Sequence, residues 1–187
     1  MGEPGFVAPG NPCIPKASKS PWDAFNDFDQ SQRISAPGRE IMASGTVETA
    51  GKALSVSLEA ARKVIHAGEE KAREIGQPMN IAVVDAGANL VAFERMEGAW
   101  IGSIDISINK AFTARAFDIE TRALAENSQS GDQFFGIHAS NHGRVMIFAG
   151  GVPLKHGNQV VGAVGVSGGS GKQDQTVAEA AAHAFAS

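Results

Sequence analysis

The sequence predicts an α+β fold in which helices flank an antiparallel sheet of five strands. Two apolar runs, Asn80–Asp85 and Leu90–Met96, are separated by turn residues and predict a hairpin. A second hairpin is predicted from Gly150–His156 and Gln159–Val166, which flank a Gly-Asn pair. Arg144–Phe148 is the fifth predicted strand. Strands that follow one another through hairpins, without βαβ alternation, favour an antiparallel sheet over a doubly wound one.

Three helices and a short helical piece are predicted around these strands. Residues 53–76 repeat apolar side chains at steps of three and four, which places one apolar stripe on a helix. Gly76 is expected to cap this helix, because it follows the last apolar position. Further helices are predicted over about 103–117 and 173–185, with a short piece at 121–127.

Composition excludes several classes of protein. Hydrophobic residues make up 43% of the 187-residue chain and charged residues 19%, which is typical of a globular domain. The net charge is −4 and no basic stripe is present, so we expect no nucleic-acid partner. No apolar run approaches the roughly 20 residues that span a bilayer, and no secretory signal is recognisable, so a cytoplasmic protein without a membrane partner is expected. The single cysteine, Cys13, allows no disulfide within one chain.

Residues 1–48 differ in composition from residues 49–187. The first segment holds six of the eight prolines, which disfavour long helices and central strands. It also carries four of the twelve aromatic residues, which are costly to leave in water. We therefore predict an extended N-terminal arm that packs on the domain or on a neighbouring subunit; the alternative is a disordered tail.

Sequence blocks within about residues 50–186 resemble the GlcG/HbpS family, the haem-degrading-domain family that includes the C-terminal domain of PduO-type proteins. Those blocks are Ile81–Asp85, Phe93–Ala99, Ser103–Ile106, Lys110–Ala114, Gly150–Pro153, Val161–Gly168 and Asp174. The chain departs from the family pattern at the turn after Asp85 and at Phe112, where a basic residue is common.

The resemblance implies a profilin-like fold and a homo-oligomer, from tetramer to octamer. It also implies a small-molecule ligand, with haem or a related tetrapyrrole as the candidate cofactor. In that interpretation a subunit-interface pocket would place Lys110 and Arg95 on the propionates, with His138 or Thr113 near the iron. Gly150 and Gly151 lie in a family block and are further candidates for ligand contact.

Other motifs keep alternative chemistries open. Gly165–Gly169 matches the G-x-S-x-G elbow around Ser167, but no hydrolase sheet is predicted. The glycines around Ser167 are better suited to presenting N–H groups to an anion or carboxylate. Ser107-Ile-Asn-Lys110 matches S-x-x-K without its partner motifs.

Several polar side chains are candidates for catalysis or ligand binding. His138 and His142 lie four apart in a polar loop, where no third metal ligand is obvious, so no bound metal ion is predicted. Acid–base work and an axial haem contact are equally open alternatives for the two histidines. Asp105 is expected to cap its helix or, with Glu94 and Arg95, to join an intersubunit network.

Three functions follow from these candidates. The first is an oligomeric haem- or tetrapyrrole-binding protein. The second is a cofactor-independent lyase or isomerase acting on a small anionic aromatic, such as an aryl hydroxylamine carboxylate, or on a hydroxy acid. In the enzyme, Arg95 or Lys110 would hold a carboxylate, and Glu94 or His142 would move protons. The third is a scaffold protein whose only function is to form an oligomer.

Overall fold

A computed structural model describes residues 47–50 and 53–186, which lie within one structural unit, Met42–Ser187. The N-terminal arm predicted for residues 1–48 lies almost entirely outside the described residues. In chain order the elements are β1 (Val47–Ala50), β2 (Ala53–Val56), α1 (Leu58–Glu74), β3 (Asn80–Val84), β4 (Leu90–Arg95), α2 (Gly102–Ala116), α3 (Thr121–Glu126), β5 (Gly151–His156), β6 (Gln159–Ser167) and α4 (Gly171–Ala186). Short 3₁₀ turns, Ile137–Ala139 and Asn141–Gly143, interrupt the long segment between α3 and β5.

The central sheet has the strand order β4-β3-β6-β5, with every neighbouring pair antiparallel. β3 and β4 pair as one predicted hairpin, and β5 and β6 pair as the other. Each hairpin contains a register shift. The predicted α+β fold with an antiparallel sheet is thereby confirmed.

Helices cover both faces of this sheet. On one face, α1 and α4 pack over an apolar cluster that includes Ile81, Val83 and Val166. On the other face, α2 packs over small residues of β3 and β6, among them Ala82. Gly165 of β6 lies directly beneath α2, where an added Cβ would collide with the backbone oxygen of Ser107. Helix and strand are therefore in close backbone contact at this glycine.

Two elements differ from the sequence prediction. Residues 53–56 form β2, which pairs with β1, so the first helix begins at Leu58 and not at residue 53. Ser57 caps it by accepting a hydrogen bond from the Ala60 N–H. The predicted strand Arg144–Phe148 is wrong, because these residues form no strand, and among the described residues the central sheet has four strands where five were predicted.

The remaining helix predictions are confirmed to within about two residues. α2 and α3 occupy the predicted ranges, and α4 begins at Gly171. Gly76 follows α1 with φ +68°, as expected for a glycine after a helix C-terminus. In the part of the chain that the structure describes, no helix has the length and apolar character to cross a membrane.

Candidate functional site

Lys110 and Asp174 form a buried ion pair that joins α2 to α4. The Lys110 ammonium donates to an Asp174 carboxylate oxygen at 2.6 Å and to the Val166 backbone oxygen at 2.9 Å. Lys110 is 0% exposed, and burial lowers its pKa from the ordinary lysine value although the Asp174 charge opposes that shift. The Phe148 ring centroid lies 4.6 Å from the same ammonium. The lysine predicted to hold a ligand carboxylate therefore holds a carboxylate of its own chain.

The glycine-rich segment after β6 binds a side chain of the same protein. The N–H groups of Gly168 and Gly169 donate to the second Asp174 oxygen at 3.2 and 2.9 Å. This is the carboxylate-binding arrangement that the sequence predicts near Ser167, with Asp174 as the bound group. Ser167 is itself buried at the end of β6.

Gly150 and Gly151 lie beside the ion pair and pack too closely for a side chain. An added Cβ on Gly150 would lie 2.9 Å from the Lys110 ammonium. The Gly151 N–H donates to the Thr121 hydroxyl at 2.8 Å, which ties the start of β5 to α3. The structure thus brings three predicted site residues together, namely Lys110, Gly150 and Gly151, in a closely packed interior.

The outer side of α2 holds the loop that was predicted to be a strand. The Thr113 hydroxyl donates to the Asn109 backbone oxygen at 2.7 Å, lies 3.3 Å from the Arg144 backbone oxygen and accepts from the Met146 N–H at 2.9 Å. These contacts replace strand pairing on either side of Val145, which is buried. Thr113 is 0% exposed and anchors the loop on α2, and its predicted role near a ligand stays a prediction.

A chain of polar contacts runs along the same side of α2. Asp105 accepts from the Asn109 side-chain amide at 2.8 Å, and the Asn109 oxygen accepts from Arg144 Nε at 3.2 Å. The N-cap position of α2 is Ile101, with no side-chain cap, and Asp105 lies in the first turn of the helix, where the helix dipole favours a carboxylate. Asp105 also positions Asn109.

His138 and His142 lie on the two 3₁₀ turns and are exposed. His142 adopts a left-handed backbone, φ 58° and ψ 33°, and Asn141 before it has φ 50°. Left-handed backbone is uncommon for residues other than glycine, although Asn and His adopt it more readily than most. The roles predicted for both histidines stay predictions.

Glu94 and Arg95 point to opposite faces of the sheet, as expected for neighbours in a strand. Glu94 lies opposite Ile81 and faces α1, whereas Arg95 lies opposite Asn80. The Arg95 guanidinium is 3.5 Å from the Ala99 backbone oxygen. Within one chain, Glu94 and Arg95 therefore belong to separate surfaces.

Glu94 lines a cleft of about 380 Å³ between α1 and β4. Apolar side chains from both elements form its walls, and His66, Arg62 and Glu69 contribute polar groups from α1. The pKa of Glu94 is raised, first by partial burial and then by the charge and hydrogen bond of Glu69; the cationic groups Arg73 and His66 oppose the shift. The full lining is Leu58, Arg62, Ile65, His66, Glu69, Val91, Ala92, Phe93 and Glu94.

Sequence reasoning missed His66 and Glu69 as site residues. His66, Glu69 and Arg62 recur at steps of four and three along α1, a signal that places them on one helix face. Only the pairing of β4 beside α1 shows that this face meets Glu94. Among the described residues, no group of three or more His, Cys, Asp or Glu side chains is placed to hold a metal ion.

The model of a family described as Haem degrading protein HbpS-like matches residues 56–183. The chain belongs to the HbpS-like family. Among curated proteins, it is 41% identical over 131 residues to an uncharacterised 15.0 kDa protein from the dhaT-dhaS intergenic region of Citrobacter freundii, covering 70% of this chain and 92% of that protein. It is 32% identical to the Citrobacter freundii corrinoid adenosyltransferase PduO over 76% of this chain, but this covers only 43% of PduO.

Solved structures agree with this HbpS-like assignment. Klebsiella pneumoniae ORFY superimposes with a TM-score of 0.71 at 37% identity, over 75% of this chain and 97% of that one. A PduOC haem complex superimposes with a TM-score of 0.67 at 30% identity, over 69% and 94% of the two chains. A Streptomyces reticuli HbpS variant matches with a TM-score of 0.62 at 29% identity, over 80% and 94%.

Proposed function

We propose that this HbpS-like chain binds haem or a related tetrapyrrole, and that the cleft between α1 and β4 holds it. The observation that carries this proposal is the cleft itself, where an exposed imidazole and a guanidinium border apolar walls. The family match and the fold shared with a PduOC haem complex support it. The same two findings support the more general proposal that the chain is a small-ligand-binding protein of this family.

The residues of the cleft suit the chemistry of haem. Its volume of about 380 Å³ lies within the range of small-molecule pockets, roughly 300–1,000 Å³. His66 offers an imidazole nitrogen, the commonest axial ligand in haem proteins, and it lies 3.5 Å from a carboxylate oxygen of Glu70. Arg62 offers a cation for a propionate, and Leu58 and Ile65 offer apolar surface to the macrocycle.

A subunit interface at this cleft would complete the pocket. Leu58 is 47% exposed on the cleft wall, so a single chain leaves apolar surface in water. A second copy lying over α1 and β4 would cover it, in keeping with the predicted homo-oligomer. The arm of residues 1–48 is proposed as another cover for the domain or for a neighbouring subunit.

The test is an absorbance titration with haemin at known subunit concentration, on the wild type and four single variants. His66→Ala should weaken binding by at least about tenfold and alter the Soret band, because the axial nitrogen is removed. His156→Ala is the matched control, since His156 is exposed at the end of β5, where it does not line the cleft. His138→Ala and His142→Ala test the positions that the sequence predicted.

The outcomes separate the sites. If haemin binding is lost in His142→Ala or His138→Ala but stays at the wild-type level in His66→Ala, the haem site lies at the loop and not in the cleft. A response that does not saturate, or that equals the response of a non-binding protein, would reject haem binding altogether.

The carboxyl pair Glu94–Glu69 favours a second candidate function in the same cleft, the cofactor-independent lyase or isomerase. A carboxyl group whose pKa is raised can donate or accept a proton closer to neutral pH. Turnover of an aryl hydroxylamine carboxylate by haem-free protein, abolished in Glu94→Gln but kept in His156→Ala, would favour the enzyme. Failure to turn over such substrates, with saturable haemin binding, would favour the binding protein.

A further inference from the structure

We propose that Arg144 forms a second binding site, on the outer side of α2, for the carboxylate group of a small molecule. Arg144 lies in the loop before β5, and it contacts α2 through its backbone, its side-chain nitrogen and its guanidinium plane. Its contacts involve neither the α1–β4 cleft nor the buried ion pair.

The Arg144 side chain is immobilised although it is exposed. Its guanidinium carbon lies 3.8 Å from the centroid of the Phe112 ring, a cation–π contact. Its Nε donates to Asn109, whose amide is in turn held by Asp105. An unrestrained arginine side chain loses roughly 2 kcal/mol of rotamer entropy on ordering, and here folding has already imposed that cost.

The edge of the guanidinium that remains available matches a carboxylate. Nε is committed to Asn109, while the two terminal nitrogens donate to no atom of the residues that the structure describes. Two parallel N–H donors on one planar group fit the two oxygens of a carboxylate. No second cation contacts this guanidinium within the described residues, so a monoanion is better balanced than a phosphate dianion.

A turn of left-handed backbone presents Arg144. Asn141, His142 and Gly143 all have left-handed φ values, 50°, 58° and 76°. Glycine adopts this conformation at little cost, and Asn and His adopt it more readily than most other residues. The turn closes directly onto Arg144, whose N–H donates to the Asn141 backbone oxygen at 3.2 Å. The turn therefore fixes the backbone of Arg144, while the contacts with α2 fix its side chain.

The experiment follows benzoate resonances by NMR at constant ionic strength while protein is added without haem, with benzamide as the neutral isostere. Benzoate should bind and benzamide should not. Arg144→Gln should weaken benzoate binding about 10- to 100-fold, the range for a charged hydrogen-bonding partner. Phe112→Leu should weaken benzoate binding several-fold, because the Arg144 charge remains but the aromatic ring that holds the guanidinium in place is lost. Arg122→Gln is the control, because that exposed guanidinium already pairs with two carboxylates.

Far-UV circular dichroism and the unfolding midpoint establish that each variant folds. If Arg144→Gln fails to fold, Arg144→Lys replaces it, and a several-fold loss is expected because lysine keeps the charge without the planar fork. Benzoate binding that is absent, or equal in wild type and Arg144→Gln, overturns the proposal. A drop in oligomer mass in Arg144→Gln would assign the contact to a carboxylate of a second copy, and would likewise overturn it. The haem proposal is unaffected by either result, since the titration contains no haem.

Discussion

Breaking the buried ion pair by Lys110→Met should destabilise the protein by about 3–5 kcal/mol. The substitution removes the ammonium that bonds both Asp174 and the Val166 backbone oxygen. Asp174 is 2% exposed, so its carboxylate would stay buried with only the two glycine N–H donors. For a domain of this size, each 1 kcal/mol of lost unfolding free energy lowers the thermal unfolding midpoint by roughly 2–4 °C. A decrease of about 6–20 °C in this midpoint is therefore expected.

Urea unfolding measures the free energy and thermal unfolding measures the temperature midpoint, both followed by circular dichroism at one fixed subunit concentration because assembly alters apparent stability. The double variant Lys110→Met/Asp174→Asn removes the uncompensated charge and keeps the oxygen that accepts from the glycines. Its loss of unfolding free energy should therefore be smaller than the summed losses of the two single variants, by about 1–3 kcal/mol. Lys155→Met, at an exposed position in β5, should stay within about 0.5 kcal/mol of the wild type.

The reasoning fails if Lys110→Met costs less than about 1 kcal/mol, or if the two single substitutions are additive. Either result would mean that the pair does not couple α2 to α4.

Two further predictions concern the cleft and the packed interior. Because the pKa of Glu94 is raised in the folded state, its stabilising contribution is complete below the unfolded value and is lost as pH rises through the folded pKa. As pH rises from 4 to 7, Glu94→Gln should therefore gain unfolding free energy relative to the wild type, by less than about 1 kcal/mol. Urea unfolding at each pH measures this difference. A difference that does not change with pH would contradict the repulsion from Glu69. Gly150→Ala should cost more than about 2 kcal/mol in thermal unfolding, since φ is +118° and the new Cβ would lie 2.6 Å from the Val166 oxygen. Gly157→Ala, at φ +59° in open space, should cost about 1 kcal/mol, and equal losses at both glycines would reject the packing argument.

Local signals predicted the hairpins and most helices, and tertiary contacts explain the two errors. The β3–β4 and β5–β6 hairpins follow from turn residues between apolar runs, which act within a few residues. Leu54 continues the apolar spacing of α1, yet Leu54 and Val56 also alternate as a strand does, and pairing with β1 decides for the strand. The Arg144–Phe148 run looked like a strand, but Thr113 contacts its backbone from α2, 31 residues away.

The candidate site was harder to predict because its parts are distant in sequence. Lys110 carries no local sign of burial, and its partner Asp174 lies 64 residues later. Glu94 was a candidate, but its proximity to Glu69 depends on how α1 packs beside β4. Residue chemistry therefore indicated which side chains to consider, while the topology determined which of them meet.

The Asp174 carboxylate is in effect a ligand tethered to its own receptor. The glycine N–H groups and the Lys110 ammonium bind it through three contacts of 2.6–3.2 Å. A tether of only a few residues gives such a group an effective concentration that is typically in the millimolar range or above. A free carboxylate would have to outcompete it at every moment. A site for anionic molecules on this chain would therefore have to lie elsewhere on its surface, where no internal competitor is attached.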